Sequence, residues 1–263
     1  VTGIGLPAVT VSSDASHDWL HERAQRTPAR QALIDTNQTW SFAELDALSG
    51  RIAAGLMKSG AKQGDRFALL AANGTSTAAA FHAVPRSGAT LVPLNTRLRA
   101  PELQHQRQIA KPRVVIIDEE HRDLLGSTAT NTTVLGLEDL SDEPDISPSR
   151  ISVNANFPHT VMFTSGTTGT PKGVILSAGN HYNSAIAAMI NMGVAETDRW
   201  LCCVPLFHMA GLSILIRSAI FGIPVVLQRT FNPEDANRAI ETQHVSIASV
   251  VPTMLSRMLD ARD

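Results

Sequence analysis

Short apolar runs along this chain alternate with longer stretches in which apolar residues recur every three or four positions, the two periods of strand and helix. Ser41 and Glu44 form an S-x-x-E capping box, and the helix it opens carries Leu45, Leu48, Ile52 and Leu56 on one face, with Gly60 as a stop. Arg66 to Ala72 reads as a strand. Ser76 to Ser87 reads as a helix that Pro85 should kink or end. Leu91 to Leu94 and Val114 to Ile117 read as strands, with a helix over Pro101 to Ala110 between them. This is the pattern of βαβ units and a mostly parallel sheet.

Asp139 to Asn156 is polar, holds two prolines and has few apolar residues, which marks a surface connection. Beyond it the alternation resumes. Strands are expected over His159 to Phe163, Val174 to Leu176, Trp200 to Val204, Val225 to Leu227 and Val245 to Val250. Helices are expected over Asn180 to Met192, Leu212 to Phe221, Pro233 to Gln243 and Pro252 to Leu259. The expected fold class is α/β, with residues 1–138 and 159–263 as two subdomains joined by a connection over 139–158. There is no internal repeat and no low-complexity tract.

Composition narrows the function. Hydrophobic residues make up 43% and charged residues 17% of the 263, an ordinary balance for a globular enzyme. The net charge of −2 offers no basic excess for a polyanion, which argues against a nucleic-acid partner. Cys202 and Cys203 are the two cysteines, adjacent in an apolar run. They make neither a disulfide framework nor a zinc site, are read as core residues, and fit a reducing, cytoplasmic location. Val1 to Ser16 lacks the basic start and apolar core of a secretory signal. The absence of an initial Met suggests a trimmed or excised chain. Leu212 to Leu227 is interrupted by Arg217, Gly222 and Pro224, so no membrane span is expected. A homo-oligomer is left open.

The densest chemistry lies in Thr164-Ser165-Gly166-Thr167-Thr168-Gly169-Thr170-Pro171-Lys172-Gly173. Glycines let successive backbone N–H groups turn toward one anion. The hydroxyls add short donors, and Lys172 adds positive charge for a polyphosphate. A flexible linker is the alternative, but apolar strands flank the stretch on both sides and Pro171 stiffens it. The pattern is neither G-x-x-x-x-G-K-[ST] nor G-x-G-x-x-G, which disfavours a P-loop NTPase and a dinucleotide dehydrogenase.

Thr164 to Val174 resembles the signature loop of the adenylate-forming superfamily: acyl-CoA synthetases, luciferases and peptide-synthetase adenylation domains. Pro205-Leu206-Phe207-His208 with Gly211 resembles that family's P-L-F-H-x-x-G segment. Leu94-Asn95-Thr96-Arg97-Leu98 and Val251-Pro252-Thr253-Met254-Leu255 have weaker counterparts there. Gly179-Asn180-His181-Tyr182, Asp198-Arg199-Trp200-Leu201 and Gly211-Leu212-Ser213 are most similar to the o-succinylbenzoate–CoA ligases of menaquinone synthesis.

The resemblance implies stacked, mostly parallel sheets flanked by helices, and a two-step reaction. A carboxylate attacks the α-phosphate of ATP and pyrophosphate leaves; the thiol of CoA then attacks the acyl carbon and AMP leaves. ATP, Mg²⁺, CoA and a small carboxylic acid are the implied ligands. Thr164, Ser165, Thr167, Thr168 and Lys172 would hold the β- and γ-phosphates with Mg²⁺. Thr168 is the candidate metal contact, and Gly166 and Gly169 allow close backbone approach. His208 would line the acyl site as donor or gate beside Gly211; a core histidine is the alternative. Ser213 and Arg217 share a helix face, and Arg217 is the candidate cation for the second carboxylate of o-succinylbenzoate; a structural arginine is the alternative. His17 and His21, four apart, read as a solvated helix face, and His181 as a ligand contact or a cap.

The family's Y-G-x-T-E motif, ribose-binding Asp, hinge and C-terminal lysine are not found in these residues. A missing C-terminal lid and an inactive isolated chain are therefore expected. A ligase for a fatty, aryl or amino acid, and a non-catalytic nucleotide- or acyl-binding module, are the competing readings.

Overall fold

The computed structural model describes residues 18–35, 38–125, 132–142, 154–164 and 171–262. Two sheets dominate. The first contains β1 (Gln31–Ile34), β2 (Thr39–Ser41), β9 (Trp200–Cys202), β10 (Val225–Leu227) and β11 (Ile247–Ala248), in the order β11-β9-β10-β1-β2. The second contains β3 (Arg66–Leu70), β4 (Thr90–Pro93), β5 (Val114–Ile117), β6 (Thr133–Gly136), β7 (Pro158–Thr164) and β8 (Lys172–Ser177), in the order β6-β5-β3-β4-β7-β8. Pairings are parallel except β1 with β2 and β7 with β8. The α/β class with mostly parallel sheets is therefore as expected.

The central strands β3, β4, β5, β9 and β10 are nearly continuous buried apolar runs, as expected where both faces of a parallel sheet are covered. Phe67 and Leu69 of β3 enter the largest core cluster, while Ala68 and Leu70 enter a second one with Leu103 of α4 (Ala100–Ala110). In the other sheet, Leu33, Trp200 and Val225 join the large cluster. Ile34, Leu201 and Val226 face Ala236 of α8 (Pro233–Thr242) and Met258 of α9 (Pro252–Asp260). The large cluster is bridged by Phe42, Leu45, Leu48, Ile52 and Leu56 of α2 (Phe42–Lys58), packed against α3 (Thr75–Arg86). The Ser41–Glu44 capping box forms as expected. Pro85 lies in the last turn of α3, which ends one residue later.

Both sheets draw strands from either side of residues 139–158. β1 pairs with β10, and β4 pairs with β7. The division at 1–138 and 159–263 thus does not coincide with the sheets. The expected surface connection begins inside α5 (Leu137–Ser141), whose Leu137 and Leu140 are buried; residues 143–153 of it lie outside the described ones. Two apolar side chains one turn apart suffice to dock this short helix on α2.

His21 of α1 (Trp19–Arg26) is not on a solvated face. Its Nδ1 lies 2.8 Å from Asp46 Oδ2, in a half-buried cluster where Arg86 bonds both Asp18 and Asp46. His17 lies outside the described residues. Among the described residues, no helix is long and apolar enough to cross a membrane.

Candidate active site

Parallel strands open their ligand crevices at their carboxyl ends, and a cavity of about 570 Å³ lies there. Asn95, just past β4, lines it, as do Phe163 and Thr164 at the end of β7 and Pro171 at the start of β8. Glu102, His105 and Gln106 of α4 form another wall. Phe207 and His208 close it from the segment after β9, which belongs to the other sheet. The cavity therefore takes its walls from both sheets.

β7 and β8 form an antiparallel hairpin with Thr164 opposite Lys172. Gly173 is packed so closely that a Cβ there would stand 2.9 Å from Val161 Cγ1, which fixes the strand that Lys172 begins. Lys172 is exposed and does not line the cavity, but it starts the same hairpin end as Thr164 and Pro171, which do. Ser165, Gly166, Thr167, Thr168 and Gly169, including the candidate metal contact Thr168, lie outside the described residues.

His208 is the N-cap residue of α7 (Met209–Phe221). Its amide donates to Pro205 O at 3.1 Å, closing a turn. Burial first, and the Arg97 cation second, lower its pKa. Both favour the neutral ring, which has one N–H to donate and one bare nitrogen to accept. Gly211, in the first turn of α7, is buried against Pro205 and Leu206 and does not line the cavity.

Ser213 and Arg217 do share one face of α7, away from the cavity lining. Ser213 Oγ donates to Ala210 O at 3.0 Å. The Arg217 guanidinium lies 5.7 Å above the centre of the Trp200 ring and donates to Ser184 Oγ at 3.2 Å. Among the described residues no carboxylate pairs with it, and burial lowers its pKa.

His181 is not the cap and does not line the cavity. It is buried in α6 (Ala178–Met192), whose N-cap is Ser177, and its Nε2 lies 2.9 Å from Thr160 Oγ1. Burial lowers its pKa to about 4. Cys202 and Cys203 are buried core residues, as expected.

Gln106 was not marked by its sequence. It is 5% exposed, lines the cavity, and its buried Oε1 has no hydrogen-bond partner among the described residues. The available signal is its place on the inward face of α4 in the series Leu103, Gln106, Arg107, Ala110.

The sequence profile of the AMP-binding enzyme family matches residues 20–263. The chain belongs to the AMP-binding enzyme family. Among curated AMP-binding relatives, the 2-succinylbenzoate–CoA ligase of Geobacillus kaustophilus (strain HTA426) is 41% identical over 243 residues, covering 92% of this chain and 49% of that protein. The chain thus spans about half the length of the curated relatives it matches. An o-succinylbenzoate CoA synthetase structure from Bacillus subtilis, in complex with the acyl-adenylate intermediate, superimposes with a TM-score of 0.85 at 36% identity. It covers 92% of this chain and 63% of that one. The same enzyme with ATP and a magnesium ion gives a TM-score of 0.83 at 36% identity, covering 92% and 65%. The arrangement of two parallel sheets with the β7–β8 hairpin is thus that of AMP-binding enzymes.

Proposed function

We propose that the protein carrying this chain is an ATP-dependent, AMP-forming acid–CoA ligase acting through an acyl-adenylate. The acid is o-succinylbenzoate, the product its CoA thioester in menaquinone synthesis, and the location cytoplasmic. The observation that carries this reading is that Thr164 of the phosphate-loop hairpin and His208 of the acyl motif wall one cavity. In the first step a carboxylate oxygen bonds to the α-phosphorus of ATP and pyrophosphate leaves with the electron pair. In the second the CoA thiol loses its proton, its sulfur bonds to the acyl carbon, and AMP departs. Neither step asks the protein for a covalent bond; both ask for in-line placement and balanced charge.

The residues fit those tasks. Thr164 offers a hydroxyl at the cavity edge, and Lys172 an exposed ammonium on the opposing strand. ATP brings Mg²⁺ as its counter-ion, with Thr168 its proposed protein contact. Neutral His208 donates one hydrogen bond to orient the reacting carboxylate without neutralising the nucleophile. Gly211 lets α7 approach; Ser213 and Arg217, on α7 but outside the cavity lining, are the candidates to receive the second carboxylate, which does not react.

ATP–pyrophosphate exchange in the full-length protein tests it. With o-succinylbenzoate as the acid, exchange should be fast, and Lys172→Ala should lower it at least a hundredfold. Near-normal exchange in that variant, or faster exchange with a fatty or aryl acid, would overturn the phosphate or the acid assignment respectively.

A further inference from the structure

The turn that presents His208 is held from the opposite sheet. Asn73 lies just beyond β3 and is 6% exposed. Its Nδ2 donates to Val204 O and to Gln228 O, each at 3.0 Å. Its Oδ1 accepts the N–H of Leu206 at 2.8 Å. Val204 and Leu206 flank Pro205, the residue whose carbonyl the His208 amide reaches. Gln228 follows β10, whose neighbour β9 leads into the turn. One carboxamide thus spends both amide hydrogens and its oxygen on three main-chain groups of the other sheet, all at the base of the His208 turn.

This geometry suits no other side chain of similar size. Asp offers no donors for the two carbonyls, Leu offers no polar atoms, and Ser is too short to reach three separated groups. A structural hydrogen bond satisfies a stray polar group; these fix the position of a segment whose next two residues, Phe207 and His208, line the cavity.

We propose that Asn73 is the positioning residue for His208, setting where the imidazole stands in the cavity through the main chain of Val204 and Leu206. The proposal deepens the reading of His208 as the group that meets the substrate carboxylate, and it rests on that reading for its catalytic consequence alone. Asn73 itself need not touch substrate.

The test is a double-mutant cycle in the full-length protein, read by ATP–pyrophosphate exchange and by the imidazole NMR signals. Asn73→Ala should lower kcat/KM for the acid ten- to a hundredfold, because buried main-chain groups lose their partners and the ring moves, while KM for ATP stays within about threefold. In the His208→Ala background the same substitution should cost less than about threefold. The His208 signal should shift in Asn73→Ala and the His181 signal should not. Should Asn73→Ala fail to fold, Asn73→Ser serves for the same comparisons. Equal losses in both backgrounds, or an unmoved His208 signal, overturn the proposal. Unchanged exchange in His208→Ala, with a His208 signal that still moves when Asn73 is replaced, instead overturns the role of His208 in the reaction and leaves the positioning role standing.

Discussion

Gly211→Ala should damage both stability and catalysis through one contact. A Cβ at Gly211 would stand 2.4 Å from Pro205 O and 2.9 Å from both Pro205 C and Leu206 Cα. All three obstacles are backbone, so no side chain can swing aside. The backbone of Gly211 is helical, and Ala in a helix is favoured over Gly by about 0.5–1 kcal/mol. Against that stands an overpacking cost of about 1–3 kcal/mol, since the first turn of α7 must separate from the Pro205–Leu206 segment. The net is a loss of about 1–2 kcal/mol, or roughly 2–8 °C in Tm for a domain of this size. The catalytic effect should be larger, because the separation displaces His208, and an error of about 1 Å can cost on the order of a hundredfold. Thermal unfolding and ATP–pyrophosphate exchange on the full-length protein measure the two parts. Gly193→Ala is the control: it has open space around it, but a φ of +69°, so it should cost about 1 kcal/mol and leave exchange alone. An unchanged Tm together with unchanged exchange in Gly211→Ala would refute the close-approach argument.

Other perturbations separate structural from functional roles. Arg217→Ala should raise KM for the diacid at least tenfold and KM for ATP by less than about twofold; equal rises would return Arg217 to a purely structural part over Trp200. Arg86→Ala strips the bidentate partner from Asp18 and the partner from Asp46, in a place where burial raises the Asp18 carboxyl and Arg86 outweighs it. The loss should be about 3–5 kcal/mol by urea titration, and a loss under about 1 kcal/mol would show that the cluster relaxes into water. His181 titrates near 6.5 when unfolded and near 4 when folded, so the unfolded state takes up the proton first as pH falls. Stability is therefore full above about pH 6.5 and declines as pH drops toward 4. Between pH 7 and 5 the native protein should lose about 1–2 kcal/mol more than His181→Gln, and parallel pH profiles would contradict that assignment.

Local signals were legible where the sequence carries both a period and a boundary. The Ser41–Glu44 box with Leu45, Leu48, Ile52 and Leu56 gave α2 nearly to the residue. β5 and β10 have the expected limits, because Arg113 and Asp118, or Pro224 and Gln228, bound continuous apolar runs. β1 and β2 were not legible. They have four and three residues, and β1 is a strand because Val225 and Val226 of β10 pair with it from nearly two hundred positions away. β11 is only Ile247–Ala248, shorter than the apolar run suggests, because it pairs with β9 at just those two positions. The site divides the same way. The flanks of the phosphate loop and His208 stand in contiguous motifs, but Gln106 and Asn73 acquire meaning only from partners that folding delivers.

The polar stretch at 139–158 shows how composition misleads about architecture. The chain on either side of it contributes to both sheets. Parallel pairing makes this natural: neighbours in a parallel sheet need a crossover, so strands distant in sequence end up adjacent. The chemical consequence lies in the cavity. Thr164 arrives there on the six-stranded sheet and His208 on a turn that leaves the five-stranded one. In the proposed reaction phosphate and carboxylate meet in line, so their relative placement would depend on how firmly the two sheets are registered at that end. Apolar packing through α2 and α3 sets the separation of the sheets but is tolerant of small slides, since dispersion and burial are not directional. Directional bonds are what remove that freedom, and behind the turn that presents His208 the Asn73 carboxamide supplies three of them across the gap.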